Sequence, residues 1–125
     1  MPENRDAFVA LLRRGPHPQV VERLRSRYPM RDGRLLGRLE RCLSALAHWA
    51  PVTAELDFAP ALAYPFVRLF GADELAGFEA VMAVVTHWGR DWLATFPVPP
   101  VPLLSLLARQ LQHADPPLAV HLERL

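Results

Sequence analysis

The sequence is short of several residue types, and each shortage excludes a class of protein. Only one cysteine, Cys42, occurs among 125 residues, so an internal disulfide cannot form and a disulfide-stapled secreted scaffold is excluded. No apolar run approaches the roughly 18 residues that a membrane span needs, and no basic-then-apolar leader opens the chain. Basic and acidic residues nearly balance, 14 against 13, which leaves no whole-chain argument for nucleic acid or an anionic membrane. These shortages predict a soluble intracellular protein.

Lysine and isoleucine are absent altogether, so all 14 basic residues are arginine. This pattern favours a nucleotide-composition bias of the coding sequence over selection for guanidinium chemistry, so arginine enrichment alone carries no functional argument. The arginines are unevenly placed. Residues 1–41 hold ten arginines against five acids, whereas residues 42–125 hold four against eight. This asymmetry is typical of two halves that pair within one fold; the sharper alternative is a surface for an anion or an acidic partner, centred on Arg23, Arg25 and Arg27.

Helix start and stop signals recur along the chain, and strand alternation does not persist anywhere. The pattern predicts an all-α protein of about six or seven helices. Asp6, Asp32, Asp73 and Asp115 are predicted caps, Pro18 a first helical residue, and Gly15 and Gly71 stops. The predicted helices cover residues 6–14, 18–27, 33–49, a segment at 53–70 kinked or broken by Pro60 and Pro65, 74–95, 102–112, and one from 116 onward.

Two further segments carry expectations. Four prolines fall within residues 97–102, which predicts a packed extended connector in preference to a polyproline ligand. The last helix keeps apolar residues up to Leu125 with no terminator, so we expect the domain to continue beyond residue 125 and to be only partly present.

Trp49 and Trp88, each preceded by a histidine at the apolar edge of a helix, are expected in the core.

No motif for metal, cofactor or nucleophilic chemistry is present. The five histidines lack metal-ligand spacing, and neither a phosphate-binding nor a dinucleotide-binding glycine loop occurs. Cys42 lies in an apolar helix, where burial would raise its pKa. Glu55 and Asp57 are two residues apart and would lie on different faces of a helix, so paired acid–base catalysis is not expected. We therefore predict no metal and no cofactor.

A series of short motifs follows along nearly the whole chain, beginning with Gly15-Pro16-His17-Pro18 and Arg27-Tyr28-Pro29. It continues with LSALAHWAP at 43–51, LAYPFVRLF at 62–70, FEAV at 78–81, the pair Trp88 and Trp92, and Phe96-Pro97-x-Pro99-Pro100. In their order and spacing these motifs resemble those of the TBC (Rab-GAP) domain family. The resemblance implies an all-helical fold of which residues 1–125 would be one partial domain. Active members of this family accelerate GTP hydrolysis on Rab GTPases with an arginine from an IxxDxxR motif and a glutamine from a YxQ motif.

Both catalytic motifs are degenerate in this chain. Anchored on Pro29, IxxDxxR falls on Val20, Arg23 and Ser26, so the aspartate slot holds arginine and the finger slot holds serine. Anchored on Pro51, YxQ falls on Glu55 and Asp57, which puts a carboxylate where a neutral amide should hold water. An anion aimed at a phosphate oxygen would repel it. The loss of an arginine finger alone removes on the order of a thousandfold in rate.

Three hypotheses follow from these residues and from the resemblance. The leading one is a catalytically silent TBC-like scaffold, not an enzyme, whose partners are other proteins, without nucleic acid or membrane insertion. The resemblance implies a setting at centriolar satellites and the ciliary base, in cilium assembly. The second is a Rab GTPase activator that uses Arg25 or Arg27, the neighbours of the finger slot, as a displaced finger. The third is a helical fragment that binds acidic partners through residues 13–41.

Overall fold

The computed structural model describes residues 2–89, 93, 98, 99 and 101–125, and within these ranges it contains seven α-helices and no strand. The all-α class expected from the sequence is confirmed. A short 3-10 helix at Pro51–Glu55 and a π-helical turn at Val84–Trp88 complete the described elements. The α-helices are α1 (Pro2–Arg13), α2 (Pro18–Arg27), α3 (Gly33–Trp49), α4 (Ala59–Phe70), α5 (Glu74–Ala83), α6 (Val101–Ala114) and α7 (Pro116–Glu123).

Three of the predicted aspartate caps are confirmed. Asp32 Oδ1 accepts hydrogen bonds from the backbone N–H groups of Arg34 and Leu35, at 3.0 and 3.2 Å. Asp73 caps α5 and Asp115 caps α7 in the same way, at 3.2 and 3.1 Å. Each carboxylate satisfies N–H groups that have no partner within the helix and lies at the positive end of the helix dipole.

The predicted stops are confirmed as well, because Gly15 and Gly71 adopt positive φ angles of 81° and 55° after α1 and α4. Glycine enters this region without a Cβ clash, which lets the chain turn away from the helix axis.

Other boundaries differ from the predictions. Asp6 is no cap, because α1 begins at Pro2 and places Asp6 in its interior. Pro60 and Pro65 do not break the helix: Pro60 lies in the first turn of α4, where its missing N–H costs nothing, and α4 continues through Pro65 to Phe70. The interruption falls earlier, between the 3-10 helix and α4.

The helix predicted over 74–95 is shorter than expected. Its α-helical part ends at Ala83 and is followed by the π-helical turn. Residues 90–92 and 94–97 lie outside the described residues, so the second half of that prediction, Trp92 and most of the proline connector have no structural account. The helix predicted from Pro102 is α6, which extends from Val101 to Ala114.

The chain divides into two compact units, Met1–Val84 and Val85–Leu125. In the first, α3 is the central helix and packs against α1, α2, α4, α5 and the 3-10 helix. Its core includes the fully buried Leu39, Leu46, Leu56 and Val81. Each such side chain contributes about 1.5–3 kcal/mol relative to an exposed position. The rings of Phe8, from α1, and Phe78, from α5, also stack on each other, with their centroids 4.9 Å apart.

In the second unit α6 packs against α7. These two helices bury a single residue, Ala119, and leave Leu106 and Leu107 about half exposed. Among the described helices, none combines the length and hydropathy that crossing a bilayer requires.

The core position expected for Trp49 is wrong. Its side chain is 45% exposed, because α3 ends at this residue and the chain turns away at Pro51. Trp88 lies in the π-helical turn, and its side chain is outside the described set.

Candidate functional site

Residues from the two degenerate motifs meet where the end of α2 contacts the segment after the 3-10 helix. Asp57 Oδ1 lies 3.5 Å from Nη2 of Arg23 and 3.2 Å from Nη1 of Arg27. Arg23 and Arg27 are one turn apart on α2, so both reach the same carboxylate. The phenolic O–H of Tyr28 donates to the backbone carbonyl oxygen of Asp57 at 3.0 Å. We call Arg23, Arg27, Tyr28 and Asp57 the latch.

Arg23 is the most enclosed member of the latch, with a side chain only 16% exposed. Its Nη1 donates to the carbonyl oxygens of Ala54 and Leu56, at 2.5 and 3.1 Å. These carbonyls lie at the C-terminal end of the 3-10 helix, where backbone acceptors lack helical partners and a positive charge is favoured. Arg23 therefore holds the backbone of this segment in place, in addition to pairing with Asp57.

The remaining motif residues are not part of this arrangement. Ser26 is exposed, and its hydroxyl donates to the carbonyl oxygen of Arg23 at 3.5 Å, a contact within its own helix. Arg25 is exposed and lies two residues from both Arg23 and Arg27, about 200° around the helix axis. Glu55 is exposed on the 3-10 helix. Of the residues proposed from the sequence, the structure thus brings together Arg23, Arg27 and Asp57 and leaves Ser26, Arg25 and Glu55 out of the pairing.

Sequence reasoning identified these positions and missed what they do. The sequence shows Tyr28 only within a motif of the family resemblance, and Arg23 as a mismatch in an aspartate slot or as part of a surface for an acidic partner. The spacing of Arg23 and Arg27 at i and i+4 was an available signal that they share a face. The partner, Asp57, is set by tertiary packing, for which the sequence holds no local signal.

The charge of the latch determines what it can do. Two guanidinium groups share one carboxylate, and the side chain of Arg27 is 61% exposed while that of Asp57 is 70% exposed. Arg23 is occupied by two carbonyls and a carboxylate, so it has little capacity for a further ligand. Arg27 can reach an external anion only by leaving Asp57, which stays nearby as a competing negative charge.

A second polar cluster joins the loop after α1 to α3. The backbone N–H of His17 donates to Ser44 Oγ at 3.0 Å, and His48 Nε2 lies 2.9 Å from the carbonyl oxygen of Gly15. Because that carbonyl can only accept, His48 carries the proton on Nε2. The two imidazole rings are 5.4 Å apart. Burial, and then the neighbouring His48, lower the pKa of His17 below its usual 6.5.

Neither metal chemistry nor thiol chemistry gains support from these side chains. Within the part of the chain that the structure describes, no three His, Cys, Asp or Glu residues are grouped closely enough to hold a metal ion. Burial, reinforced by the charge of Glu74, raises the pKa of Cys42 to about 12. The thiol is therefore protonated at neutral pH, as the sequence predicted, and it is a poor nucleophile.

Fold and site together define an all-helical protein in which Asp57 pairs with Arg23 and Arg27 of α2. Sequence comparison indicates the class of protein to which this chain is related. The chain is similar to proteins named TBC1 domain family member 31: 42% identical over 121 residues to that of Xenopus tropicalis, 38% over 121 residues to that of Mus musculus and 37% over 121 residues to that of Homo sapiens.

Each of these matches covers 97% of this chain but only 11–12% of the relative, so the chain spans about 11% of the length of the curated relatives that it matches. No protein-family model matches the chain, and no solved structure matches it. The identities relate the chain to one segment of the TBC1 domain family member 31 proteins. The TBC domain itself stays a prediction.

Proposed function

We propose that this chain is a catalytically silent TBC-like module that serves as a protein-interaction scaffold. The observation that supports it best is the pairing of Asp57, in the glutamine slot, with Arg23 of the arginine motif and with Arg27, a neighbour of the finger slot. A carboxylate at this position pairs with Arg27, a guanidinium group that an activator with a displaced finger would need to keep free for phosphate.

The residue in the finger slot also supports catalytic silence. Ser26 carries no positive charge, and a hydroxyl cannot offset the charge that develops on the transferring phosphate. An arginine finger is worth on the order of a thousandfold or more in rate, which a neutral side chain does not replace.

The aspartate slot supports silence in a different way. Arg23 bonds to the Ala54 and Leu56 carbonyl oxygens, so its replacement by the family's aspartate would leave these acceptors without their donor. The same residue would lose its attraction to Asp57 and gain a repulsion. Substituting the active-family residue here would therefore disturb the 3-10 helix before it could restore activity.

The proposed partners are other proteins. The proposed setting at centriolar satellites and the ciliary base, in cilium assembly, rests on the family resemblance alone. A pull-down from ciliated cells tests this part: we expect centrosomal proteins, and their absence from the captured set would remove the proposed localisation.

The second candidate function is activation of a Rab GTPase with a displaced arginine finger. It is favoured by the 61% exposure of the Arg27 side chain and by the exposure of Arg25. Arg25 and Arg27 lie on different faces of α2, so at most one of them could enter the same nucleotide site.

Single-turnover GTP hydrolysis across a panel of Rab GTPases separates the two functions. We expect no acceleration by the wild-type chain and none by Asp57→Gln, which restores the neutral amide while leaving the finger slot empty. A stimulation of about a hundredfold that Arg27→Ala abolishes and Arg25→Ala does not would contradict silence and identify Arg27 as the finger. The reverse pattern would identify Arg25.

A further inference from the structure

We propose that Ser26 is a phosphorylation site for an arginine-directed serine/threonine protein kinase, and that its phosphorylation opens the latch. The acceptor is an exposed hydroxyl with arginine at three neighbouring positions, Arg23, Arg25 and Arg27. Kinases that select basic substrates bind such arginines through acidic side chains, and the charge pattern sets their specificity. This proposal does not depend on catalytic silence.

The local structure allows the hydroxyl to enter a kinase. Ser26 lies in the last turn of α2, which ends at Arg27 before Tyr28 and Pro29. Helix ends open at low free-energy cost, so the last turn can take the extended form that a kinase active site accepts. Arg25 is exposed beside the serine and takes no part in the latch, whereas Arg27, also exposed, becomes available to a kinase when it leaves Asp57.

The chemistry is a single phosphoryl transfer. The γ-phosphoryl group of ATP moves to Ser26 Oγ, the bond between the γ-phosphorus and the oxygen that bridges it to the β-phosphate breaks, and ADP leaves. The hydroxyl proton passes to the kinase's catalytic aspartate. The product carries a charge of about −1.5 to −2 at neutral pH and three strong acceptor oxygens.

This new charge acts on Arg23 first, because Ser26 and Arg23 are three residues apart and face each other across one turn. The existing 3.5 Å contact from Ser26 Oγ to the Arg23 carbonyl oxygen shows that the serine lies over that turn. A phosphate offers Arg23 a stronger partner than the neutral carbonyls of Ala54 and Leu56. Negative charge in the last turn of a helix also opposes the helix dipole. Both effects release the segment that Arg23 now holds.

The chain contains its own control serines. Ser44 is buried and accepts from His17, so it is closed to a kinase. Ser105 is exposed in α6, and leucines precede and follow it where Ser26 has arginines. Ser26 and Ser105 therefore share exposure and differ in neighbouring charge.

The test treats the full chain with an arginine-directed serine/threonine kinase and Mg-ATP and locates phosphate by mass spectrometry. We expect phosphate on Ser26 and none on Ser105. Arg25→Ala, which removes a flanking charge that the latch does not use, should lower the initial rate by about fivefold. Failure to modify Ser26, or equal modification of Ser105, would overturn the site.

Amide hydrogen exchange of residues 52–57 tests the consequence. We expect exchange there to rise by about tenfold in the phosphorylated chain and to stay unchanged in Ser26→Ala after the same treatment. If exchange stayed unchanged in the phosphorylated chain, the proposal that phosphorylation opens the latch would be wrong. GTP hydrolysis is not measured in either arm, so these outcomes are independent of those that test the proposed function.

Discussion

The two units of the chain use apolar residues in opposite ways. In the first, α3 places Leu39 and Leu46 at 1% exposure among four neighbouring helices and a 3-10 helix. In the second, α6 has an equally leucine-rich sequence but buries none of its residues, and Leu106 and Leu107 are 51% and 54% exposed. Helical periodicity is present in both units. The difference shows that a sequence pattern defines an apolar face, whereas the number of neighbouring elements decides whether that face becomes a core.

A pair of leucine substitutions is the most direct way to test this difference. Leu46→Ala should lower the free energy of unfolding by about 2–5 kcal/mol, because it removes buried contacts and leaves a cavity beside α3. Leu106→Ala should change it by no more than about 0.5 kcal/mol. Denaturant unfolding followed by circular dichroism measures both. Equal losses would show that the leucines of α6 are buried in solution.

The latch gives a second comparison within the first unit, between two arginines of the same helix. Arg23→Ala should cost about 1–3 kcal/mol in the free energy of unfolding, because the carbonyls of Ala54 and Leu56 lose their donor. Arg25→Ala should cost no more than about 0.5 kcal/mol, since its exposed side chain lies on another face of α2.

Thermal and denaturant unfolding of the two variants measure this difference. If Arg25→Ala destabilised the chain as strongly as Arg23→Ala, general electrostatics would explain the stability of the region, and the bonds to the 3-10 helix would not.

The smallest expected effect concerns acid stability at the histidine cluster. The pKa of His17 is lowered in the folded chain from 6.5, so the unfolded chain binds its proton more readily. The contribution of neutral His17 to the free energy of unfolding is therefore complete at a pH above both of its pKa values, that of the folded chain and that of the unfolded chain. It falls progressively as the pH drops below 6.5. His17→Gln should make the stability less dependent on pH in this window.

His113→Gln provides the control for this pH series, because His113 is exposed in α6 of the second unit. Unfolding free energies measured between neutral pH and pH 5 should keep their slope in this variant. If the slope disappeared in His113→Gln and persisted in His17→Gln, the assignment to His17 would be wrong.

The parts of the fold that could be predicted are those with local causes. Asp32, Asp73 and Asp115 were predicted as caps because a cap and the N–H groups it satisfies lie within three residues of each other. Asp6 has the same side chain and failed as a cap, since α1 had already begun upstream. Trp49 was misplaced because its burial depends on where the next element goes, which a single helix does not specify.

The candidate site likewise has one part that could be predicted from the sequence and one part that could not. Arg23 and Arg27 share a face of α2 for a reason that the sequence contains, whereas their partner Asp57 comes from a segment 30 or more residues away in the chain. Motif alignment located all three positions through the resemblance, but it treated Arg23 and Asp57 as mismatched motif residues and Arg27 as a candidate displaced finger. Their bonds to one another and to the Ala54 and Leu56 carbonyls became visible only in three dimensions.

The buried Cys42 has a practical consequence, because it is the only thiol in the chain. It is 3% exposed on α3, so an alkylating reagent can modify it only in molecules whose first unit has opened. The second unit contributes no competing signal. The rate at which this one sulfur is alkylated therefore reports the rate or equilibrium of opening of residues 1–84, and no engineered probe is needed.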